Sequence, residues 1–479
     1  SLRALPTGGL ALTPHPLALG AALTHPNITT DYCESQLELI TGVHGDVASC
    51  LAELTQVHQF VYRTIGEERL WVSSMPCGLP TDEAIPIGRY GSSNVGRAKT
   101  VYRVGLGHRY GRRMQTISGI HYNWSLPGLT SADYFSLIRN FRRHGFLLLF
   151  LFGASPALCQ TFVEGREHPL DRLGDYTLYL PHATSLRMGK LGYQSDAQST
   201  LAVSYNSLDS YAASLHDAMT RPYPAYEALG LRGPGGDYHQ LATSLLQIEN
   251  EFYGTIRPKR VIHQGERPLH ALRERGVEYV EVRCMDLDPF LPLGIDAPTM
   301  RFIDVFLLYC LLADSPDDTP AEITELAHNQ DRVAMRGREP GLTLERGGRE
   351  VTLVEWAEEI LAACAPIAAA IDQAQGGTAH GDALRIAMSR LATPASLPSA
   401  RVIGEITDQF DRSYTRFVRS HAAQTRDEML ALPYPPELHA HMVGLVQESI
   451  AAQARLEAAD TMPFEIYRQE YLSTRRLGV

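Results

Sequence analysis

Over residues 1–290 the apolar positions recur with two different periods. Alternation at every second position marks short extended runs at 37–41 (LELIT), 116–126 (TISGIHYNWSL) and 277–285 (VEYVEVRCM). Between them, 44–66 and 130–145 carry apolar residues at helical spacing. This mixture predicts an α+β protein, an antiparallel sheet with helices on one side. From about residue 300 the pattern turns helical. Residues 300–314 and 354–374 read as helices, the second interrupted by Pro366. Residues 342–353 alternate around Gly347 and Gly348, which can take the positive φ of a tight turn, so a hairpin is expected. Residues 375–382 read as a loop, and 400–475 as mostly amphipathic helix. No repeat, low-complexity tract or long linker stands out. One integrated domain over 1–479 is expected, sheet-rich over 1–295 and mainly helical over 296–479.

Several extended runs place polar groups on one face, because successive strand side chains point to opposite sides. In 277–283, Val277, Tyr279, Glu281 and Arg283 share a face, and Glu278, Val280 and Val282 share the other. Taken alone, Glu281 and Arg283 fit an exposed ion pair equally well. His121 and Asn123 share a face of 119–123, although a lone strand histidine is more often a satisfied core residue. Gln36 and Glu38 oppose Leu37 and Leu39, and Asp31 follows the run ITT. A carboxylate among apolar neighbours is costly unless something pairs with it. Gathered on one sheet, Asp31, Glu38, His121 and Glu281 would repel each other without cations. Such an oxygen-rich donor set suits Mg²⁺, and its single imidazole makes Mn²⁺ tolerable. Glu34 reads as a solvated neighbour.

Composition narrows the class. The 479 residues are 44% hydrophobic and 20% charged, with a net charge of −11. That balance argues against general nucleic-acid or anionic-membrane binding. The longest apolar run, FLLLFLF at 146–152, is too short for a bilayer, which needs about 20 residues. The N-terminus shows no charged-then-apolar signal pattern. Seven cysteines without CxxC spacing fit free thiols in a reducing compartment, so a cytoplasmic protein is expected.

Three stretches are candidate anion binders. YGSSNVGRAKT (90–100) begins like a phosphate-binding loop, but Arg97 stands where the lysine belongs. It is either a small-residue turn with exposed bases or a less specific phosphate contact. Arg187, in PHATSLRMGKLGY, is either a surface arginine or a carboxylate fork. QIENEFYGTIRPKR (247–260) reads as a solvated charged face. GLGHRYG (105–111) lacks the dinucleotide-binding pattern, and no HExxH or GxSxG occurs.

The runs ALTHPNITTDYCESQLELIT, YGSSNVGRAKTVYRVGLGHRYGRRMQTISGIHYNWSLP, LFGASPA, YLPHATSLRMGKLGY, LQIENEFYGTIRPKR, GVEYVEVRCMDLDPFLPLGID and AADTMPF strongly resemble bacterial glutamate–cysteine ligase of the proteobacterial type. The resemblance extends from residue 1 to about 467 and is weakest over 395–455. It implies a fold related to glutamine synthetase, in which an antiparallel sheet forms a funnel-shaped active site. It implies ATP-dependent ligation of the L-glutamate γ-carboxylate to the L-cysteine amino group through a γ-glutamyl phosphate, the first step of glutathione synthesis. The expected partners are these small molecules alone, and a monomer is expected. By motif, Asp31, Glu38, His121 and Glu281 resemble metal ligands. Arg187 and Arg283 resemble glutamate-side anion binders with Ile117 nearby, and Glu281 and Arg283 would serve the catalytic step. Tyr32, Tyr102, Leu106, Gln115, Tyr193 and Tyr253 resemble a cysteine pocket, Tyr32 standing where the family often has Phe. The family also places a Gly-x-Glu-Arg-Glu segment just before the position of Ser1, with two more metal-binding glutamates. That segment is expected upstream of Ser1.

Overall fold

In the computed structural model the described residues are 1–192, 196–199, 201–263 and 265–477. Their strands are β1 (Arg3–Ala4), β2 (Ile28–Thr30), β3 (Leu37–Leu39), β4 (Arg69–Leu70), β5 (Ile120–Trp124), β6 (Ala157–Cys159), β7 (Asp171–Gly174), β8 (Thr177–Tyr179), β9 (Ile256–Lys259), β10 (Tyr279–Met285), β11 (Thr343–Arg346) and β12 (Arg349–Thr352). They pair antiparallel in five small sheets: β1–β4, β2–β3, β5–β10–β9, β6–β8–β7 and β11–β12. The polar-faced strands thus divide between the β2–β3 hairpin and the β5–β10–β9 sheet, with helices filling the space around them.

Strand β10 shows why the sheet forms where it does. Val280 and Val282 are fully buried on one face, in the largest core cluster, while Glu281 and Arg283 occupy the other. Across β10 the register aligns Asn123 of β5, Glu281 and Arg257 of β9 in one row. Pro258 is tolerated because β9 is an edge strand. Helices Ser131–His144 and Ala297–Leu312 pack in the same core, with the Phe141 and Phe306 rings edge-on at 5.8 Å. The run 146–152 is a short, wholly buried helix. Side-chain caps set the helix starts: Asp46 for Val47–Thr64, a Thr130–Asp133 capping box for Ser131–His144, and Asp296 for Ala297–Leu312.

Two expectations are corrected here. The helix Leu353–Gln375 runs through Pro366 without a break. Pro366 sits on the exposed face, where the carbonyl left without a donor can be solvated. The expected loop 375–382 shrinks to Gly376–Thr378, because Asp372 accepts from the backbone amides of His380 and Gly381 and so caps the next helix, Ala379–Ala392. The hairpin is as expected, with Gly347 and Gly348 at φ 61° and 74°. The C-terminal stretch forms four helices, Pro398–Asp408, Tyr414–Ala431, Pro436–Ala459 and Phe464–Leu472. All seven cysteines are free thiols. Among the described residues no helix is long and apolar enough to cross a membrane.

Candidate active site

Four extended segments line one recess. Strand β10 supplies Glu281 and Arg283, β5 supplies His121, β9 supplies Arg257 and Lys259, and the β2–β3 hairpin supplies Asp31 and Glu38. Glu281 is the hub. Its Oε2 accepts from Arg283 Nη1 at 2.7 Å, and its Oε1 lies 3.4 Å from Lys259 Nζ and 3.9 Å from His121 Nδ1. Burial pushes the Glu281 carboxyl up, but the permanent charges of Arg283, Lys259 and Arg257 outweigh it and hold it far below the usual carboxylate range. Glu38 goes the other way. Burial first, then repulsion from Asp31 and Glu281, pushes it up to about 7. The hairpin and the β5–β10–β9 sheet therefore face one another electrostatically although they do not share hydrogen bonds.

Glu38 and His121 are open to solvent, yet burial is the largest cause of the shift at each. Side chains that water reaches while protein surrounds them line a concavity. Burial and the Arg283 charge keep His121 neutral, so its imidazole retains a lone pair.

No three of Asp31, Glu38, His121 and Glu281 bring ligand atoms within 4.8 Å of one another. Among the described residues, Glu266, His270 and Glu274 do, Glu266 just before and the other two on the helix Pro268–Arg275, where both glutamates pair with Arg275. The recess set is instead an open array of carboxylates plus one neutral imidazole. Its self-repulsion at Glu38 is what a hard divalent cation relieves, so the chemistry of the donors fits Mg²⁺ or Mn²⁺.

Arg187 is 1% exposed, not a surface arginine. Its Nη2 donates to Arg283 O at 2.6 Å, which ties it to β10, and its charge acts on His121. A second group lies beside it. Tyr32, Leu106 and Ile117 are buried in one core cluster, with Tyr102 and Tyr253 packed against it. Tyr102 and Leu106 stand four apart on the helix Asn94–Tyr110 and share a face. Gln115 Nε2 donates to Tyr253 Oη at 2.8 Å, and the Tyr253 ring meets Tyr110 edge-on at 5.7 Å. Tyr193 lies outside the described residues.

Tyr32 is 2% exposed, and its buried hydroxyl has no hydrogen-bond partner among the described residues. An unpaired buried hydroxyl is destabilising. Tyr32→Phe should therefore leave the melting temperature level or raise it, by up to about 1 kcal/mol of stability. A fall of several degrees in thermal denaturation would show that this hydroxyl has a stabilising partner.

Some residues read differently in three dimensions. Glu34 is buried and structural, accepting from the amides of His15 at 2.7 Å and Arg89 at 2.6 Å. The stretch 247–260 is not a solvated face. Glu249 pairs with Arg267 at 2.6 Å, and Glu251 accepts from Arg109 at 2.9 Å and Tyr110 at 2.7 Å, all inside the protein. The same stretch contributes Arg257 and Lys259, which sequence reasoning missed. The alternation of Ile256 and Pro258 with Arg257 and Lys259 was the available signal. The phosphate-loop candidate is a helix start whose N-terminus is closed by the chain itself: Asp460 accepts from Asn94 N, and Glu457 from Ser92 N at 2.8 Å. Lys99 faces the recess, near Glu38, whereas Arg97 stacks on Phe464.

Carboxylates and cations of this chain thus meet on one solvent-reachable floor, an arrangement suited to small, multiply charged molecules. The sequence model of the glutamate-cysteine ligase family matches residues 1–333, and the chain belongs to that family. It is 47% identical to a glutamate–cysteine ligase of Pseudomonas entomophila, over 98% of this chain and 92% of that protein. It is 46% identical to one of Alcanivorax borkumensis, over 98% and 94%. A crystal structure of glutamate–cysteine ligase from Francisella tularensis in complex with AMP superposes with a TM-score of 0.94 at 35% identity, over 99% of this chain and 96% of that one. A bifunctional glutathione synthetase from Pasteurella multocida shares the fold at a TM-score of 0.72 and 24% identity, over 95% and 55%.

Proposed function

We infer that this chain is an ATP-dependent ligase that joins the γ-carboxylate of L-glutamate to the amino group of L-cysteine, the first step of glutathione biosynthesis. The observation that carries this reading is the recess itself: Glu281 held ionised by Arg283 and Lys259, with the neutral His121 beside it and Asp31 and Glu38 opposite. The full-length likeness to glutamate–cysteine ligases supports it, and the AMP in the Francisella structure supports a nucleotide co-substrate.

A carboxylate is a poor acyl donor because its leaving group would be oxide. Phosphorylation by ATP gives a γ-glutamyl phosphate with a good leaving group, a step that depends on positioning and charge neutralisation. Asp31, Glu38, His121 and Glu281 are the residues that would hold Mg²⁺, with Mn²⁺ tolerated. Bound there, divalent ions supply charge compensation for the nucleotide phosphates. Arg283, fixed by Glu281, faces the transferring phosphoryl group. Arg187 takes a glutamate carboxylate as a planar fork. The cysteine amine then attacks the acyl carbon, and the oxyanion forms on the side of Arg283; its collapse breaks the bond to the phosphoryl oxygen and releases inorganic phosphate, the amine proton passing to water. Tyr32, Tyr102, Leu106, Gln115, Tyr193 and Tyr253 shape the cysteine side, where aromatic walls and hydroxyl tips suit a small thiol. Free thiols and an ATP requirement favour a cytoplasmic site of action.

Phosphate release with ATP and glutamate, compared across acceptors and with Mg²⁺ present or chelated, tests the reading. Cysteine should be the best acceptor. 2-Aminobutyrate should follow within about 1–3 kcal/mol, since small apolar differences discriminate weakly. Chelation should abolish turnover. Ammonia as the best acceptor, or turnover untouched by chelation, would overturn the assignment.

A further inference from the structure

The run 151–157 (LFGASPA) supplies none of the recess side chains described above, yet it converges with two other runs on one buried carboxylate. Asp286 is 3% exposed and follows β10 directly, three residues after Arg283. Its Oδ2 accepts from the backbone amide of Ala154 at 2.9 Å and from Ser155 Oγ at 2.6 Å. Its Oδ1 accepts from Ser185 Oγ at 3.0 Å, and Arg187 Nη1 lies 3.6 Å from the same oxygen. The segments carrying the serines are themselves joined: Ser155 N donates to Thr184 O at 3.2 Å, and Leu186 N to Ser155 O at 2.8 Å.

Three neutral donors fix this carboxylate, so its position does not depend on the arginine. The reverse dependence is strong. Arg187 is buried, and a buried guanidinium takes its orientation from the charge and acceptors around it. On the recess side, Nη2 bonds Arg283 O, and a Cβ added to Gly119 would stand 2.2 Å from that nitrogen. Gly119 therefore leaves room for the guanidinium on one side while Asp286 holds it from the other. One strand and its extension thus provide Glu281 and Arg283 to the recess and the counter-charge behind Arg187.

We propose that Asp286 is a positioning residue for glutamate recognition, its carboxylate, set by Ala154, Ser155 and Ser185, aiming the Arg187 guanidinium at a glutamate carboxylate. This rests on the reading of Arg187 as the glutamate-side anion binder.

Steady-state kinetics of the full chain, varying each substrate in turn, test it. Asp286→Asn keeps the shape and removes the charge. It should raise KM for glutamate at least tenfold while KM for cysteine and ATP stay within threefold. The double variant Ser155→Ala/Ser185→Ala keeps the charge and loosens its setting. It should shift KM for glutamate in the same direction by about threefold, and it carries the test if Asp286→Asn does not fold. A lowered kcat or melting temperature with all three KM values unchanged would reduce Asp286 to a structural role and overturn the proposal. Arg187→Ala separates the two layers. If it leaves KM for glutamate unchanged, the underlying reading fails. If it raises that KM while both Asp286 network variants do not, this inference alone fails.

Discussion

Glu281→Gln is expected to lower kcat at least about a hundredfold, with kcat/KM falling in step. The amide is nearly isosteric, so the change is one of charge. The carboxylate is held ionised by Arg283 at 2.7 Å and Lys259 at 3.4 Å, and it is the one acid of the β5–β10–β9 face that meets both. Without it Arg257, Lys259 and Arg283 share a face with no counter-charge of their own sheet, and the proposed cation array loses a donor. Stability should fall by about 3 kcal/mol, as when a buried pair loses one partner. The fold should survive, because Val280 and Val282 on the opposite face stay locked in the core. The check is phosphate release at saturating Mg²⁺, run well below the variant's melting temperature. Turnover close to that of the parent protein would remove Glu281 from the mechanism.

Strand alternation made much of this legible. It separates Glu281 and Arg283 from Val280 and Val282, and His121 from Tyr122, as the strands do. It did not show which strands pair. The register that sets Arg257 beside Glu281 depends on a contact across more than twenty residues of chain, and no local pattern encodes it. Charged stretches were the other blind spot. Glu249 and Glu251 in QIENEFYGTIRPKR look the same in sequence whether water or a buried arginine neutralises them. Only Arg267 and Arg109, distant in sequence, decide the matter. Glu34 was opaque for the same reason, since its partners are backbone amides of Arg89 and His15. The helix boundaries at 375–382 hinged on Asp372 reaching forward as a cap, where Gly376 and Gly377 alone signalled a longer loop. The motif resemblance nominated residues that periodicity could not, because Gln115 and Tyr253, proposed for the cysteine side, meet only through tertiary packing.

Arg187→Ala should raise the glutamate requirement far more than the cysteine requirement. A charge-assisted fork to a carboxylate contributes about 2 kcal/mol, which corresponds to roughly a 30-fold rise in KM. KM for cysteine should move less than threefold, because Tyr32 and Leu106 pack with Tyr102 in an apolar cluster and Gln115 is held by Tyr253. The variant leaves Asp286 without its cation, but Ala154, Ser155 and Ser185 still donate to it, so the site should lose affinity more than it loses order. Arg187→Lys should recover only part of the affinity, since an ammonium restores charge without the planar pair of donors. That graded series distinguishes recognition from packing: a structural arginine would be judged by melting temperature, whereas a binding arginine is judged by which substrate concentration must rise. Were cysteine to need the larger increase, Arg187 would belong to the acceptor side, and the glutamate carboxylate would have to be met by Arg283 and the cations beside it.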